Sequence, residues 1–246
     1  MPGARLGAMS GVPRAPAAPR LRAIREAWLR PVIGQLEADP DISAAGFVGS
    51  IGRGDADDWS DVDLVIVVPD DQVDRYADAA RRRRPGRVAF SFDARHNAPR
   101  GAGSVGVHHI IDGLPFNADW YIYPDSQGAW VADAKVIIDR HGLRRLSDTF
   151  DEHLAKREVQ PPAPRPANAH RLLQMALIPV AAKRIARRSP DAGRMVEFVG
   201  GPHAPGAAPA EQLEMLRGLL GQYRGVAPAE SLSATRRYLD LVADVL

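Results

Sequence analysis

"GFVGSIGRGDADDWSDVDLVIVV", Gly46–Val68, sets two short apolar runs on either side of a loop holding Gly49, Ser50, Arg53 and five aspartates. The second run, "DLVIVV", is among the most strand-like stretches of the chain, yet Asp61 and Asp63 stand at its mouth. Residues two apart on a strand point to the same face, so these aspartates project together while Val62 and Leu64 face the other way. Their Cα atoms would lie about 6.5–7 Å apart, close enough to bind one divalent cation or bracket two. Two anions side by side on a rigid strand are costly unless something positive neutralises them. Magnesium, a hard cation that prefers oxygen ligands and keeps water and phosphate oxygens, meets that need. Gly49 lets the backbone approach a phosphate closely, and the Ser50 hydroxyl with neighbouring amides can bond its oxygens. The stretch reads as a cradle for metal and triphosphate.

Rival motifs fail on spacing. A calcium loop starting at Asp55 needs Gly at its sixth position and Glu at its twelfth, where Ser60 and Ile66 stand. Glycines 49, 52 and 54 do not fit Gly-x-Gly-x-x-Gly, and no Gly-Lys-Ser/Thr phosphate loop occurs. The plainer alternative is an acidic, solvated turn ahead of a core strand. Against it stands a third aspartate, Asp119 in "FNADWYIYP", on a strand after a hairpin. In-line transfer of a phosphoryl or nucleotidyl group by two metals uses three such carboxylates.

The arrangement of Gly-Ser, ten residues, Asp-Val-Asp and then a separate strand Asp resembles the nucleotidyltransferase superfamily that includes DNA polymerase beta. Within it, "GSIGRGDADDWSDVDLVIVV" and "GLPFNADWYIYP" look most like the aminoglycoside and lincosamide adenylyltransferases and related bacterial proteins. The resemblance is specific from Gly46 to Val68, looser to about Asp139 and only architectural beyond Pro161. It implies an α/β (α+β) fold: a polymerase-beta-like mixed sheet followed by a C-terminal helical domain. By position it implies that Gly49 and Ser50 hold phosphate, with Arg53, Ser60 and Lys183 as further cofactor-binding candidates. It implies that Asp61, Asp63 and Asp119 hold two magnesium ions, and that Asp119 polarises an acceptor hydroxyl. The co-substrate is then ATP or another nucleoside triphosphate, and the acceptor a small hydroxylated molecule. Some antibiotic adenylyltransferases use a separate glutamate as base; the matching stretch "RVAFSFDARHN" offers Asp93 instead. Two other roles stay open on the same fold: an antitoxin-like protein that modifies or binds a protein partner, and a nucleotide-binding regulator without turnover.

Composition sets outer limits. With 246 residues, 45% hydrophobic and 25% charged, the chain can bury a sizeable core. A formal charge of +2 makes no demand for a nucleic-acid partner. The absence of cysteine excludes disulfides, thiolate zinc sites and cysteine nucleophiles, and fits a cytoplasmic enzyme. "LLQMALIPVAA" is too short to span a bilayer, so no membrane partner is expected. Residues 1–20, rich in Ala, Pro, Gly and Arg, read as a tail rather than a secretory signal.

Residues 21–160 read as the nucleotidyltransferase domain. Leu21, Ile24, Trp28, Val32 and Leu36 recur at helical spacing, with Pro31 expected to kink or restart the helix. "SAAGFV", "DLVIVV", "RVAFSFD" and "AKVIID" read as strands, and "VGVHHIIDGLPFNADWYIYP" as a hairpin turning near Asp112-Gly113. A helix is expected over 70–83, its C-terminal arginines suiting the dipole. His108 and His109, adjacent on a strand, point to opposite faces and cannot share a metal. Trp120 is expected in the core, and Tyr121 and Tyr123 beside the acceptor. After a proline-rich break at 160–168, residues 161–246 read as a helical substrate-binding domain, with helices near 170–188, 192–198, 210–223 and 231–246.

Overall fold

Every segment read as β-rich forms a strand in the computed structural model of the chain, which describes residues 17–80, 87–158, 160–161 and 168–246. The strands are β1 (Ala44–Val48), β2 (Val62–Val68), β3 (Arg87–Asp93), β4 (Gly103–Ile111), β5 (Leu114–Pro124) and β6 (Lys135–Asp139). They form one sheet in the order β3-β4-β5-β2-β1-β6. β2 pairs parallel with β5, and the other neighbours pair antiparallel.

The central strand β2 is apolar on both faces. Leu64, Ile66 and Val68 enter the main core, while Val65 and Val67 pack beneath Val48, Tyr121, Tyr123, Trp130 and Phe150. Each such burial contributes roughly 1.5–3 kcal/mol. That run keeps the strand at the middle of the sheet although it carries a charged residue, Asp63.

The β4–β5 turn is as short as its sequence predicts. Ile111 pairs with Leu114, and Asp112 and Gly113 between them have φ of 50° and 71°, the left-handed pair that a two-residue hairpin requires. This rigid hairpin carries Asp119.

Helix α1 (Ala17–Ala38) buries Leu21, Ile24, Trp28, Val32 and Leu36 as the spacing predicts. Pro31 sits inside it without breaking it, a correction to the expected restart. The proline removes one backbone donor, and the buried residues on both sides hold the helix continuous. Residues 17–20, read from sequence as part of a tail, belong to this helix, and 1–16 lie outside the described residues. α2 (Gly49–Arg53) follows β1 directly. A 3-10 turn at 70–72 leads into α3 (Val73–Ala80), and the arginine run at 81–84 lies outside the described residues. α4 (Phe150–Ala155) was not anticipated, though its signal is the Thr-x-x-Glu box of Thr149 and Glu152, whose side chains bond each other's backbone N–H.

The C-terminal segment is helical as expected: α5 (Ala169–Ala186), α6 (Ala192–Phe198), α7 (Pro209–Leu219) and α8 (Ala229–Ala243). Residues 162–167 of the proline-rich break lie outside the described residues. Met175, Ile178, Leu216 and Leu239 join Trp28 and Leu64 in one continuous apolar cluster, so these helices share a core with the sheet. The result is a mixed α/β architecture, a six-stranded mixed sheet with C-terminal helices. No helix among the described residues is long and apolar enough to cross a membrane.

Candidate active site

A single row of residues across the sheet builds the site. Val48 pairs with Asp63, Asp63 with Asp119, and Asp119 with Gly106. Adjacent strands lie about 4.8 Å apart, so the two aspartates are lateral neighbours with side chains on one face. Gly106 makes room for the second: a Cβ there would lie 3.1 Å from Asp119 Oδ1 and 3.0 Å from the Phe92 ring. Burial pushes the Asp63 carboxyl up to about 6, with the Asp61 charge adding to the shift. Burial pushes Asp119 up to about 8, with Asp63 and then Asp61 adding to it. The Lys183 ammonium opposes both shifts.

Asp61 lies one residue before β2 rather than within it. Its carboxylate forms an ion pair with Lys183 of α5, so the helical segment reaches the aspartates through the lysine that the sequence singled out. Asp61, Asp63, Asp119 and Lys183 are thus one electrostatic group.

Gly49 opens α2 at a φ of 61°. A Cβ at this position would fall 2.5 Å from Asp63 Oδ2, so the backbone passes directly over the carboxylate. Only glycine satisfies both the left-handed conformation and that approach. Ser50 follows, half-buried, at the start of the same short helix.

The remaining candidates have other hydrogen-bond partners, although the Arg53 charge still lowers the proton affinity of Asp63. Arg53 bonds Asp55 at 3.1 Å and lies 3.9 Å from Asp151. Ser60 is buried, and its hydroxyl is engaged within the loop: it donates to Asp57 Oδ1 at 2.9 Å and accepts from the Asp57 N–H at 3.1 Å. Asp93 is not brought to the site. It pairs with Val105, which pairs with Trp120, so its row faces away from Asp119. Arg95 holds its carboxylate through bonds of 2.7 to 3.0 Å. Asp93 instead lines a separate cavity of about 380 Å³ with Asp70, Asp71, Asp74 and Ser104. Tyr121 and Tyr123 share the face of Asp119 but are buried in the smaller core, Tyr121 edge-on to Phe150, rather than bordering an open acceptor space. Trp120 is fully buried in the main core as expected.

The two histidines alternate as predicted. His108, on the face of Asp119, bonds Asn117 Oδ1 through Nδ1 at 2.7 Å and stacks on Phe90 with ring centroids 4.5 Å apart. His109 faces Trp28 and Phe116 on the other side. Burial lowers both to about 4, so both are neutral at physiological pH.

Two participants in the site's framework escaped the sequence reading. Arg25 of α1 donates from Nη1 to the Asp57 carbonyl at 2.6 Å and to the Ser60 carbonyl at 3.1 Å. Asp57 in turn accepts from the Trp59 N–H at 3.0 Å and from Arg187, the residue capping α5. The signal for Arg25 was present: an arginine between Ile24 and Trp28 on the buried stripe of α1 needs a partner.

Among the described residues no group of three His, Cys, Asp or Glu side chains stands at metal-ligating spacing, and Asp61 is paired with Lys183. The donor set nonetheless fits a hard divalent cation. Two adjacent, half-buried carboxyl groups whose proton affinity is raised by desolvation and by neighbouring aspartate charge, with a third beside them, form the surplus of oxygen donors that such an ion relieves.

Residues 29–86 match the nucleotidyltransferase domain family, a span that contains β1, the aspartate loop and β2. That match supports the nucleotidyltransferase superfamily for this part of the chain. No curated protein matches the sequence. Among solved structures the chain is similar to a STING-associated CdnE c-di-GMP synthase from Capnocytophaga granulosa, at 9% identity and a TM-score of 0.31, covering 93% of this chain and 83% of that one. A likeness of that strength carries no argument about this chain's substrate, and neither finding bears on aminoglycosides.

Proposed function

We propose that the chain transfers a nucleoside monophosphate, AMP from ATP in the first instance, to a hydroxyl group of a small acceptor. The observation that carries this reading is the side-by-side placement of Asp63 and Asp119 under the Gly49 backbone. The acceptor oxygen forms a bond to the α-phosphorus, the bond from that phosphorus to the β-bridging oxygen breaks, and pyrophosphate leaves. Asp119 polarises the acceptor hydroxyl, and the hydroxyl proton passes to solvent. Asp61, Asp63 and Asp119 would hold magnesium, which when bound supplies charge neutralisation at the phosphates. Gly49 and Ser50 offer backbone and hydroxyl donors to the triphosphate, and Lys183 a cation beside it. Rate then comes from alignment and charge complementarity, with no covalent enzyme intermediate.

The test is mass spectrometry of the protein incubated with magnesium, each of the four nucleoside triphosphates and a pool of aminoglycosides, lincosamides and proteins. A nucleoside-monophosphate adduct on an acceptor, with pyrophosphate released and both lost in the Asp61→Asn/Asp63→Asn variant, is the expected result. Magnesium-independent adducts, or adducts that survive in the variant, would sink the reading.

A further inference from the structure

We propose that Arg187 is a positioning residue for Asp61, acting through Asp57 and Ser60; this rests on reading the aspartates as a site for a divalent ion. Asp63 and Asp119 are fixed by the sheet ladder, since each is paired with neighbours on both sides. Asp61 has no such support. It precedes the first paired residue of β2 and hangs from a loop, 54–61, that forms no strand. Its placement must come from whatever fixes that loop.

The loop is fixed by a knot around Ser60. The Arg187 guanidinium donates from Nε to Asp57 Oδ2 at 2.7 Å, from Nη2 to Asp57 Oδ1, and from Nη2 to Ser60 Oγ at 3.2 Å. Ser60 Oγ also bonds the Asp57 carboxylate and N–H. The Ser60 carbonyl accepts from Arg25 Nη1. Hence the residue that carries Asp61 is held at its hydroxyl by an arginine from the C-terminal helices and at its carbonyl by one from the N-terminal helix. Trp59 adds an edge-on contact with Tyr238 of α8 at 5.8 Å.

An ordinary surface ion pair would not do this, because exposed pairs contribute little and constrain little. Arg187 differs in three ways. Its fork grips both oxygens of one carboxylate, a geometry that lysine cannot reproduce. It reaches a third acceptor, Ser60, which is only 8% exposed. And it lies one helical turn beyond Lys183, which holds the Asp61 carboxylate itself, so a single face of α5 sets both the backbone before Asp61 and its side chain. Sites of this kind tolerate errors of only about 0.5 Å, and supporting contacts decide whether that is met.

The test is titration of the full-length protein with Mn²⁺ at pH 8, free Mn²⁺ being read by electron paramagnetic resonance, alongside circular dichroism and thermal melting. Arg187→Ala is expected to weaken Mn²⁺ about tenfold, the scale on which supporting partners of metal ligands act. Asp57→Asn should weaken it comparably, and the double variant no more than either single change, since both remove the same contact. Arg187→Lys, which keeps the charge and loses the fork, should recover less than half of the loss on a logarithmic scale. If Arg187→Ala does not fold, Arg187→Lys and Ser60→Ala carry the test, each with weakened Mn²⁺ binding at an unchanged circular dichroism spectrum. Wild-type Mn²⁺ affinity in folded Arg187 and Ser60 variants, even with a lowered melting temperature, overturns the assignment alone, as would losses that add in the double variant. Absence of Mn²⁺ binding by the wild type, or full binding by Asp63→Asn, overturns the metal-site reading and this assignment with it.

Discussion

Asp63 on β2 and Asp119 on β5 are direct partners in the register of two parallel strands; desolvation raises the proton affinity of both, and the Asp63 charge adds to the shift of Asp119. Both folded values lie above the ordinary carboxylate range, so in the absence of a cation the folded state binds more protons than the unfolded one. Stability from these groups is therefore complete below about pH 4, the unfolded value, and is lost as pH rises through about 6 and about 8. In EDTA, the melting temperature of Asp119→Asn should exceed that of the wild type at pH 8 by a few degrees, about 2–4 °C per kcal/mol for a chain of this size. The difference should shrink toward pH 5. A wild type that melts higher than Asp119→Asn at pH 8 in EDTA would contradict the buried repulsion. Transfer activity runs the other way, with Asp119→Asn falling on the order of 10²–10³-fold or more.

Gly49 offers a sharper test of geometry. Gly49→Ala forces a left-handed alanine, costing about 1–2 kcal/mol, and drives its Cβ into Asp63 Oδ2. Gly54 also has positive φ, 78°, but opens onto empty space. Gly54→Ala should cost similar stability while leaving nucleotide binding intact, whereas Gly49→Ala should abolish it. Calorimetric titration with magnesium and a non-hydrolysable ATP analogue compares the two. Equal losses in both variants would reduce Gly49 to a turn residue.

The same contrast shows what was legible in the sequence. Asp61 and Asp63 stood out because strand alternation is local, and the Asp112-Gly113 turn because its chemistry is local. The pairing of Asp63 with Asp119 is a long-range parallel register that no local pattern encodes; only the resemblance suggested it. Asp93 misled for the same reason: its strand was right, but the face it occupies depends on pairing through Val105 to Trp120. The Arg25 and Arg187 knot joins helices at opposite ends of the chain to one loop, so it is visible only once the chain is folded.

His109 sits among Trp28 and Phe116, and neither ring nitrogen finds a hydrogen-bond partner among the described residues. Its folded value, lowered to about 4, means that the stability it permits is present above the unfolded value near 6.5 and is lost as pH falls toward 4. Replacing it with an apolar ring removes an unsatisfied polar group worth about 1–3 kcal/mol. His109→Phe should therefore raise the melting temperature, and more at pH 5 than at pH 8. A lower melting temperature at pH 5 would mean that the imidazole is satisfied after all.

Lys183 is a cation that acts on all three aspartates of the site. It pairs with Asp61 and lowers the proton affinity of both Asp63 and Asp119. Lys183→Met removes that opposition, so both buried carboxyl groups should hold their protons to higher pH. Protons and Mn²⁺ compete for the same oxygens, so the pH at which Mn²⁺ binding is half-complete should move upward in the variant. Once pH is high enough to ionise both carboxyl groups of the variant, Mn²⁺ alone should bind it at least as well as the wild type, because no ammonium competes for Asp61. The ATP analogue should bind more weakly at every pH, because the triphosphate loses a cation. A pH midpoint that stays put would show that Lys183 touches Asp61 without governing the pair beneath it. Unchanged analogue affinity would remove the lysine from the nucleotide's surroundings.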